Sequence, residues 1–257
     1  MRRLVLISFL IISPHLAAQT PSIEHIRDNV ISQFAQINDY QVDITISVKM
    51  TGFRMPKKKI RMYYKKPDKI KVETQGFAIL PKIGASGNPS VFLNMLKHVT
   101  EIKRTIRDNK SFYRIMGKVN RDSLKIPVSV KKDEIPNITM DVFVDAKEWV
   151  VTEVDVYLDS ESVFTLKTDY MEVSEVSEVR VPEQSVFKIG VKGISRWTTQ
   201  NPFDFGGPGS DRQDFEKIAK DAGFEPEKDE FVGEMIMTFS KYKVNQEIDD
   251  SLFIENK

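Results

Sequence analysis

From Tyr40 to Met50 the chain alternates without a break. Tyr40, Val42, Ile44, Ile46, Val48 and Met50 are apolar or aromatic, and Gln41, Asp43, Thr45, Ser47 and Lys49 between them are polar. Successive side chains of a strand point to opposite faces, so this run specifies a strand with one greasy and one wet side. On a helix the same residues would spread around the whole cylinder. A one-sided strand cannot stand alone. Its apolar face needs neighbouring strands and a cover.

Further strands follow along the chain. Ile60, Met62 and Tyr64 resume the alternation, Lys66-Pro67-Asp68-Lys69 is a turn, and Ile70 and Val72 lead the next strand. Phe77 to Leu80, Ser111 to Lys118 and Ile126 to Lys131 read as strands, and residues 81 to 90 as a loop. Val91 to Leu96 reads equally as a short helix or a strand. Ile138, Met140, Val142 and Val144 form a clear strand, turned at Asp145-Ala146-Lys147-Glu148 into Trp149 to Leu158, with Val154, Val156 and Leu158 on one face. Asp159 to Ser162 turns into Val163 to Met171, and Met235, Met237 and Phe239 mark a last strand running toward Val244. About ten or eleven strands joined by tight turns predict an antiparallel meander.

Two segments depart from this period. Thr20 and Pro21 suit a helix N-cap and first helical position, and Ile23, Ile26, Val30 and Phe34 then share one face of a helix ending near Gln36. From Ile194 to Val232 the alternation stops around Asn201-Pro202 and Gly206-Gly207-Pro208-Gly209. Inside that excursion Ser210 and Gln213 have capping-box spacing, Phe215, Ile218, Ala219 and Ala222 share a face, and Gly223 suits a C-cap. The fold class is therefore mainly β: a curved antiparallel sheet whose apolar face is covered by the first helix and the 194–232 excursion. A sheet of this many strands curls, and a curled sheet under few helices leaves an apolar cavity. Met62, Met140, Met235 and Met237 fall on inward positions. Their flexible thioethers suit irregular apolar guests, and they suit simple core filling equally well.

Composition removes several function classes. There is no cysteine, which excludes disulfides, thiol catalysis, Cys-ligated metal and a lipidated N-terminal cysteine. Met1-Arg2-Arg3, the apolar run Leu4 to Ile12 and the small residues ending at Ala18 read as a secretory signal cleaved near Ala18; the run is too short to span a bilayer. Without Arg2 and Arg3 the chain holds 36 basic and 37 acidic residues, so bulk charge does not suggest a nucleic-acid partner. The three histidines, His15, His25 and His98, form no cluster, so no metal site is expected. No G-x-S-x-G elbow is present, and Gly206-Gly207-Pro208-Gly209 lacks the Lys-Ser/Thr of a phosphate loop. Asn137-Ile138-Thr139 matches a glycosylation acceptor, a triplet that is common by chance.

Basic residues concentrate at Lys57, Lys58, Lys59, Arg61, Lys65, Lys66, Lys69 and Lys71. They serve either as a solvated guard on a sheet edge or as a contact for anionic headgroups. Trp197, Phe203 and Phe205 either cap a cavity mouth or anchor their loop.

Most of the chain resembles the LolA/LolB-like family of periplasmic lipoprotein carriers. The resemblance rests on the leader, the amphipathic helix, "NDYQVDITISVKM", "IRMYYKKPDKIKVE", "MDVFVDAKEWVVTEVDVY" and "MTFSKYKVNQEIDDSLF"; its most specific piece is Lys65-Lys66-Pro67 opening into Ile70. It implies one domain over 19–257, a half-open β-barrel with a helical lid, and transport of acyl-bearing lipoproteins to the outer membrane; the segment at about 194–232 exceeds the family pattern and reads as an insertion, serving as a distinct lid, a partner-docking element or decoration. It also implies that the basic residue before the proline, here Lys66 where the best-known carriers have Arg, holds the lid and tunes transfer. The expected lid residues are Lys66, Ile26, Val30 and Phe34. The expected acyl contacts are the inward positions Val42, Ile44, Ile46, Val48, Ile60, Met62, Tyr64, Met140, Val142, Val144, Val154, Val156, Leu158, Met235, Met237 and Phe239. The expected partners are acyl chains of lipoproteins or other lipids, with inner- and outer-membrane proteins, and without enzymatic activity, cofactor, metal or nucleic acid. The alternative is an envelope protein-interaction or stress-sensing module on the same fold.

Overall fold

A computed structural model describes residues 20–50, 53–54, 56–74, 90–119, 137–173, 179–192 and 230–254. Helix α1 (Ile23–Ala35) leads into strands β1 (Asp39–Met50), β2 (Phe53–Arg54), β3 (Lys58–Lys65) and β4 (Lys69–Thr74). A short helix α2 (Ser90–Met95) runs directly into β5 (Leu96–Arg107) and β6 (Lys110–Val119). Then come β7 (Ile138–Asp145), β8 (Val151–Leu158), β9 (Glu161–Glu172), β10 (Arg180–Lys192), β11 (Glu230–Val244) and a 3-10 turn at Asp250–Phe253.

The strands form one sheet in the order β4-β3-β1-β11-β10-β9-β8-β7-β6-β5, with β2 paired to β1. Every pairing is antiparallel. The last long strand inserts beside the first, and β4 and β5 are the two edges, so the sheet is open rather than closed. The alternation that defines β1 sets the register of the whole. Ile44 faces Ile60 on one side and Phe239 on the other, Ile46 faces Met237, and Val48 faces Met235. At that last level an unbroken apolar row crosses eight strands: Ile102, Ile115, Val142, Val154, Leu166, Phe187, Met235 and Val48. Each partner sits on the same face because strand side chains repeat every second residue.

Helix α1 lies over this face and buries Ile26 and Val30 completely. One continuous core joins them to inward residues of β1, β3, the meander β6 to β9, and β10 and β11. The arrangement is the half-open barrel with a helical lid that the sequence predicts. The N-cap is Ser22, whose hydroxyl accepts from the His25 amide at 3.2 Å; the expected cap, Thr20, lies outside the helix and Pro21 precedes the cap. Ser22 also has the extended backbone that a cap requires.

Two strands have no clean period-two signature. In β5 the pairing shifts register between Leu96 and His98 and again between Val99 and Glu101, so its apolar residues fall out of step. At this irregular stretch a Cβ on Gly117 would lie 2.5 Å from the His98 carbonyl oxygen, which explains glycine in the middle of β6. In β10 the shift lies between Pro182 and Gln184, the kind of bulge at which a strand tolerates proline. Val91 to Leu96 resolves as helix α2 followed by the start of β5. The expected strands at 77–80 and 126–131, the leader, and the excursion up to residue 229 with its helix and aromatics lie outside the described residues; β11 begins at Glu230.

Candidate functional site: the cavity beneath the first helix

Between α1 and the sheet lies a cavity of about 70 Å³. Its walls include Phe34 and Ile37 from the helix and its exit, Tyr40 and Ile44 of β1, Met62 of β3, Leu166 of β9, Val181 and Phe187 of β10, and Met237, Phe239 and Tyr242 of β11. The lining is mainly apolar, with a few placed polar groups. Thr168 and Ser185, on facing strands, share a buried hydroxyl–hydroxyl bond of 3.0 Å. The Gln33 side-chain oxygen is buried on the cavity wall without a hydrogen-bond partner among the described residues.

Of the expected acyl contacts, the structure places Ile44, Met62, Met237 and Phe239 on the cavity wall, together with Phe34 of the expected lid. Val42, Ile46, Val48, Ile60, Met140, Val142, Val144, Val154 and Met235 are buried in the surrounding core. Val156 and Leu158 are half-buried toward the far end of β8. Tyr64 stacks on Tyr40 at 5.2 Å and donates its hydroxyl to the Pro67 carbonyl at 3.2 Å. The row of inward residues is thus real, but α1 and neighbouring side chains already fill most of it.

Residues that sequence reading missed complete the wall. Leu166, Thr168 and Tyr170 share the inward parity of β9, and Ser185 and Phe187 that of β10. The β9 set lies within the expected strand from Val163 to Met171, so alternation was the signal available. The bulge at Pro182 hid the β10 set. Tyr170 donates to the Val151 carbonyl at 2.7 Å and Tyr242 to the Pro182 carbonyl at 2.9 Å. Burial raises the hydroxyl pKa values of Tyr40, Tyr170 and Tyr242, so these rings stay neutral.

The helix is fastened at both ends. Its last turn contains no basic residue, so its exposed carbonyls need an outside cation. Lys66, at the β3–β4 turn, supplies one: its ammonium donates to the Ala35 carbonyl and to the Asn38 side-chain oxygen. Asn245, beyond β11, donates to the Gln36 carbonyl at 3.0 Å and accepts from the Asn38 amide at 2.7 Å. Phe34 packs on Tyr64 at 5.4 Å. At the other end His25 meets Trp149 edge-on at 5.7 Å, and Trp149 stacks on Tyr113 at 5.5 Å. Ile26 and Val30 point into the core between these two fastenings.

Part of the basic hairpin is neutralised internally. Arg61 pairs with Asp43 at 2.7 Å, and Lys65 and Lys69 both reach Asp250, at 2.7 and 3.2 Å. Lys57 and Lys59 are exposed, which suits a solvated edge guard and a headgroup contact alike. Among the described residues no group of three or more His, Cys, Asp or Glu side chains is placed to hold a metal ion. No helix among them is long and apolar enough to cross a membrane.

No family model matches the chain, and no curated protein matches it in sequence. Solved structures similar in overall shape include a DUF1329 family protein from Desulfovibrio piger, with a TM-score of 0.49, 8% identity, and coverage of 90% of this chain and 97% of that one. A LolA superfamily protein from Nitrosomonas europaea gives a TM-score of 0.46 and 9% identity, over 89% of this chain and 97% of that one. A candidate outer membrane lipoprotein-sorting protein domain from Vibrio parahaemolyticus gives 0.48 and 9%, over 90% and 97%.

Proposed function

We propose that this protein is a non-enzymatic carrier that shields an acyl chain between helix α1 and the concave face of its sheet. The observation that carries this reading is the cavity beneath α1, walled by Phe34, Ile44, Met62, Leu166, Phe187, Met237 and Phe239. At about 70 Å³ it admits only the tip of a hydrocarbon chain while α1 is down, so a full chain requires the helix to lift. Lifting exposes Ile26 and Val30, at about 1.5–3 kcal/mol each, and breaks the contacts that hold the end of the helix, at about 2 kcal/mol. A chain of roughly twelve methylenes, at about 0.8 kcal/mol per buried group, returns about 10 kcal/mol and outweighs that loss. A chain of roughly four would not. Carriage of medium or long acyl chains, rather than short ones, follows from this balance.

The leader-like composition of residues 1–18 supports export and a periplasmic setting. In that setting the carried acyl chains would belong to lipoproteins or other lipids bound for the outer membrane, received from and passed to membrane proteins. No covalent step is needed. The test is native mass spectrometry and solvent extraction of the purified mature protein, with uptake of a fluorescent fatty acid. Co-purifying lipid or saturable uptake is expected. A clean lipid-free species that takes up no fatty acid would contradict the reading.

A further inference from the structure

The sheet is split on one side of the cavity. Strands β8 and β9 pair from Leu158↔Glu161 to Glu153↔Lys167 and then part. Beyond that point β8 continues against β7, with Val151 opposite Val144, and β9 continues against β10, with Tyr170 opposite Pro182. Val151 and Thr152, the first two residues of β8, therefore have no ladder partner on β9. Two side-chain contacts bridge the parting: the Tyr170 hydroxyl to the Val151 carbonyl at 2.7 Å, and the Arg180 guanidinium to Glu148 at 2.8 Å.

On the outer side of this split lies a groove of about 600 Å³, within the usual size of small-molecule sites. It shares Val150, Thr168, Tyr170 and Arg180 with the inner cavity, so these residues form a wall common to both spaces. The walls differ in chemistry. The inner one is mainly apolar, whereas the outer one carries charges of both signs. Glu153 is already paired with Arg107 at 2.8 Å and with Lys167 at 3.5 Å. Lys110 and Asp169 on the same wall have no ion-pair partner among the described residues.

We infer that the β8–β9 split is a lateral port through which a single-chain zwitterionic phospholipid lies across the sheet, its acyl end in the inner cavity and its headgroup in the outer groove. The unpaired ammonium of Lys110 suits the phosphate and the unpaired carboxylate of Asp169 suits the headgroup amine. Arg180, Glu148 and Tyr170 form the latch. This inference rests on the acyl-binding reading and adds the site, route and headgroup class.

The absence of native cysteine makes a direct test available. A Glu148→Cys, Arg180→Cys variant is bridged with a bismaleimide that contains a reducible disulfide. Lipid-free protein is then titrated with a lauroyl lysophosphatidylethanolamine and, separately, with lauric acid. Expected results are at least a tenfold loss of lysophospholipid binding in the bridged form and recovery after reduction. Bridged protein that binds as well as the reduced form would overturn the port. Lys110→Ala and Asp169→Ala, which leave the latch intact, are each expected to weaken lysophospholipid binding about fivefold and to leave lauric acid binding unchanged. Equal losses for both ligands, or no loss for either, would overturn the headgroup assignment. Wild-type protein that binds neither amphiphile would instead remove the acyl-binding reading itself.

Discussion

Lys66 and Asn245 hold the C-terminal end of α1, and their removal separates stability from ligand affinity. In the closed protein they supply three hydrogen bonds to the carbonyls and the Asn38 side chain at that end, and Asn245 accepts a fourth from the Asn38 amide. A cation at a helix C-terminus is worth about 0.3–1 kcal/mol, and a side-chain hydrogen bond about 0.5–1.5 kcal/mol net. The double variant Lys66→Ala, Asn245→Ala should therefore lose about 2 kcal/mol. For a chain of this size that is a fall of about 4–8 °C in Tm. The same contacts oppose lifting of the helix. If the ligand-bound state has already broken them, their loss lowers the cost of opening by the same amount, and acyl affinity rises up to about thirtyfold. Stability would be followed by urea denaturation and affinity by fluorescent fatty-acid titration. Opposite signs are expected. A variant that loses stability and affinity in parallel would refute the claim that α1 must rise for a ligand to enter.

Other outcomes follow from the same geometry. Met237→Trp, which puts a larger side chain on the cavity wall, is expected to abolish fatty-acid uptake while costing about 1–3 kcal/mol in stability, read by titration and melting. Gly117→Ala drives a Cβ to 2.5 Å from backbone and should destabilise by about 1–3 kcal/mol, whereas Gly190→Ala meets nothing within 4 Å and should be neutral or slightly stabilising; thermal melts compare the two. The hydrogen bond from Arg180 holds the Glu148 carboxyl below its usual pKa of 4.5. Its stabilisation is therefore complete above that pH and is lost as pH falls through the lower folded-state value. The pH-dependent part of the stability gap between wild type and Arg180→Gln should vanish in acid, and a gap that widened below pH 4.5 would contradict the pairing.

Legibility in the sequence followed regularity. The alternation of β1, β3, β7, β8 and β11 stood out because apolar residues recur at every second position over most of each strand. It was enough to place Ile44, Met62, Met237 and Phe239 facing inward. Strand β5 was illegible because two register shifts break its period, and β10 because Pro182 sits at a bulge. The boundary of the cavity was beyond sequence reasoning for a different reason. Whether Val142 or Leu166 lines a space depends on where α1 crosses the sheet, and on how fully Ile26 and Val30 occupy it. The expected apolar cavity is present, and its size of about 70 Å³ is set by how closely α1 packs on the sheet. The grip of Lys66 on the helix end came from the family resemblance. Asn245, distant in the chain, had no local signal. The β8–β9 split depends on where pairing stops, which no single strand records.

The central claim is that α1 is a movable cover over an acyl site. It is tested most directly by double electron–electron resonance between spin labels at Ser32→Cys on the exposed face of α1 and Lys188→Cys on the exposed face of β10. Addition of a saturating twelve-carbon fatty acid, about the length the burial balance calls for, should move the inter-label distance to longer values. Full occupancy with an unchanged distance distribution would contradict the account.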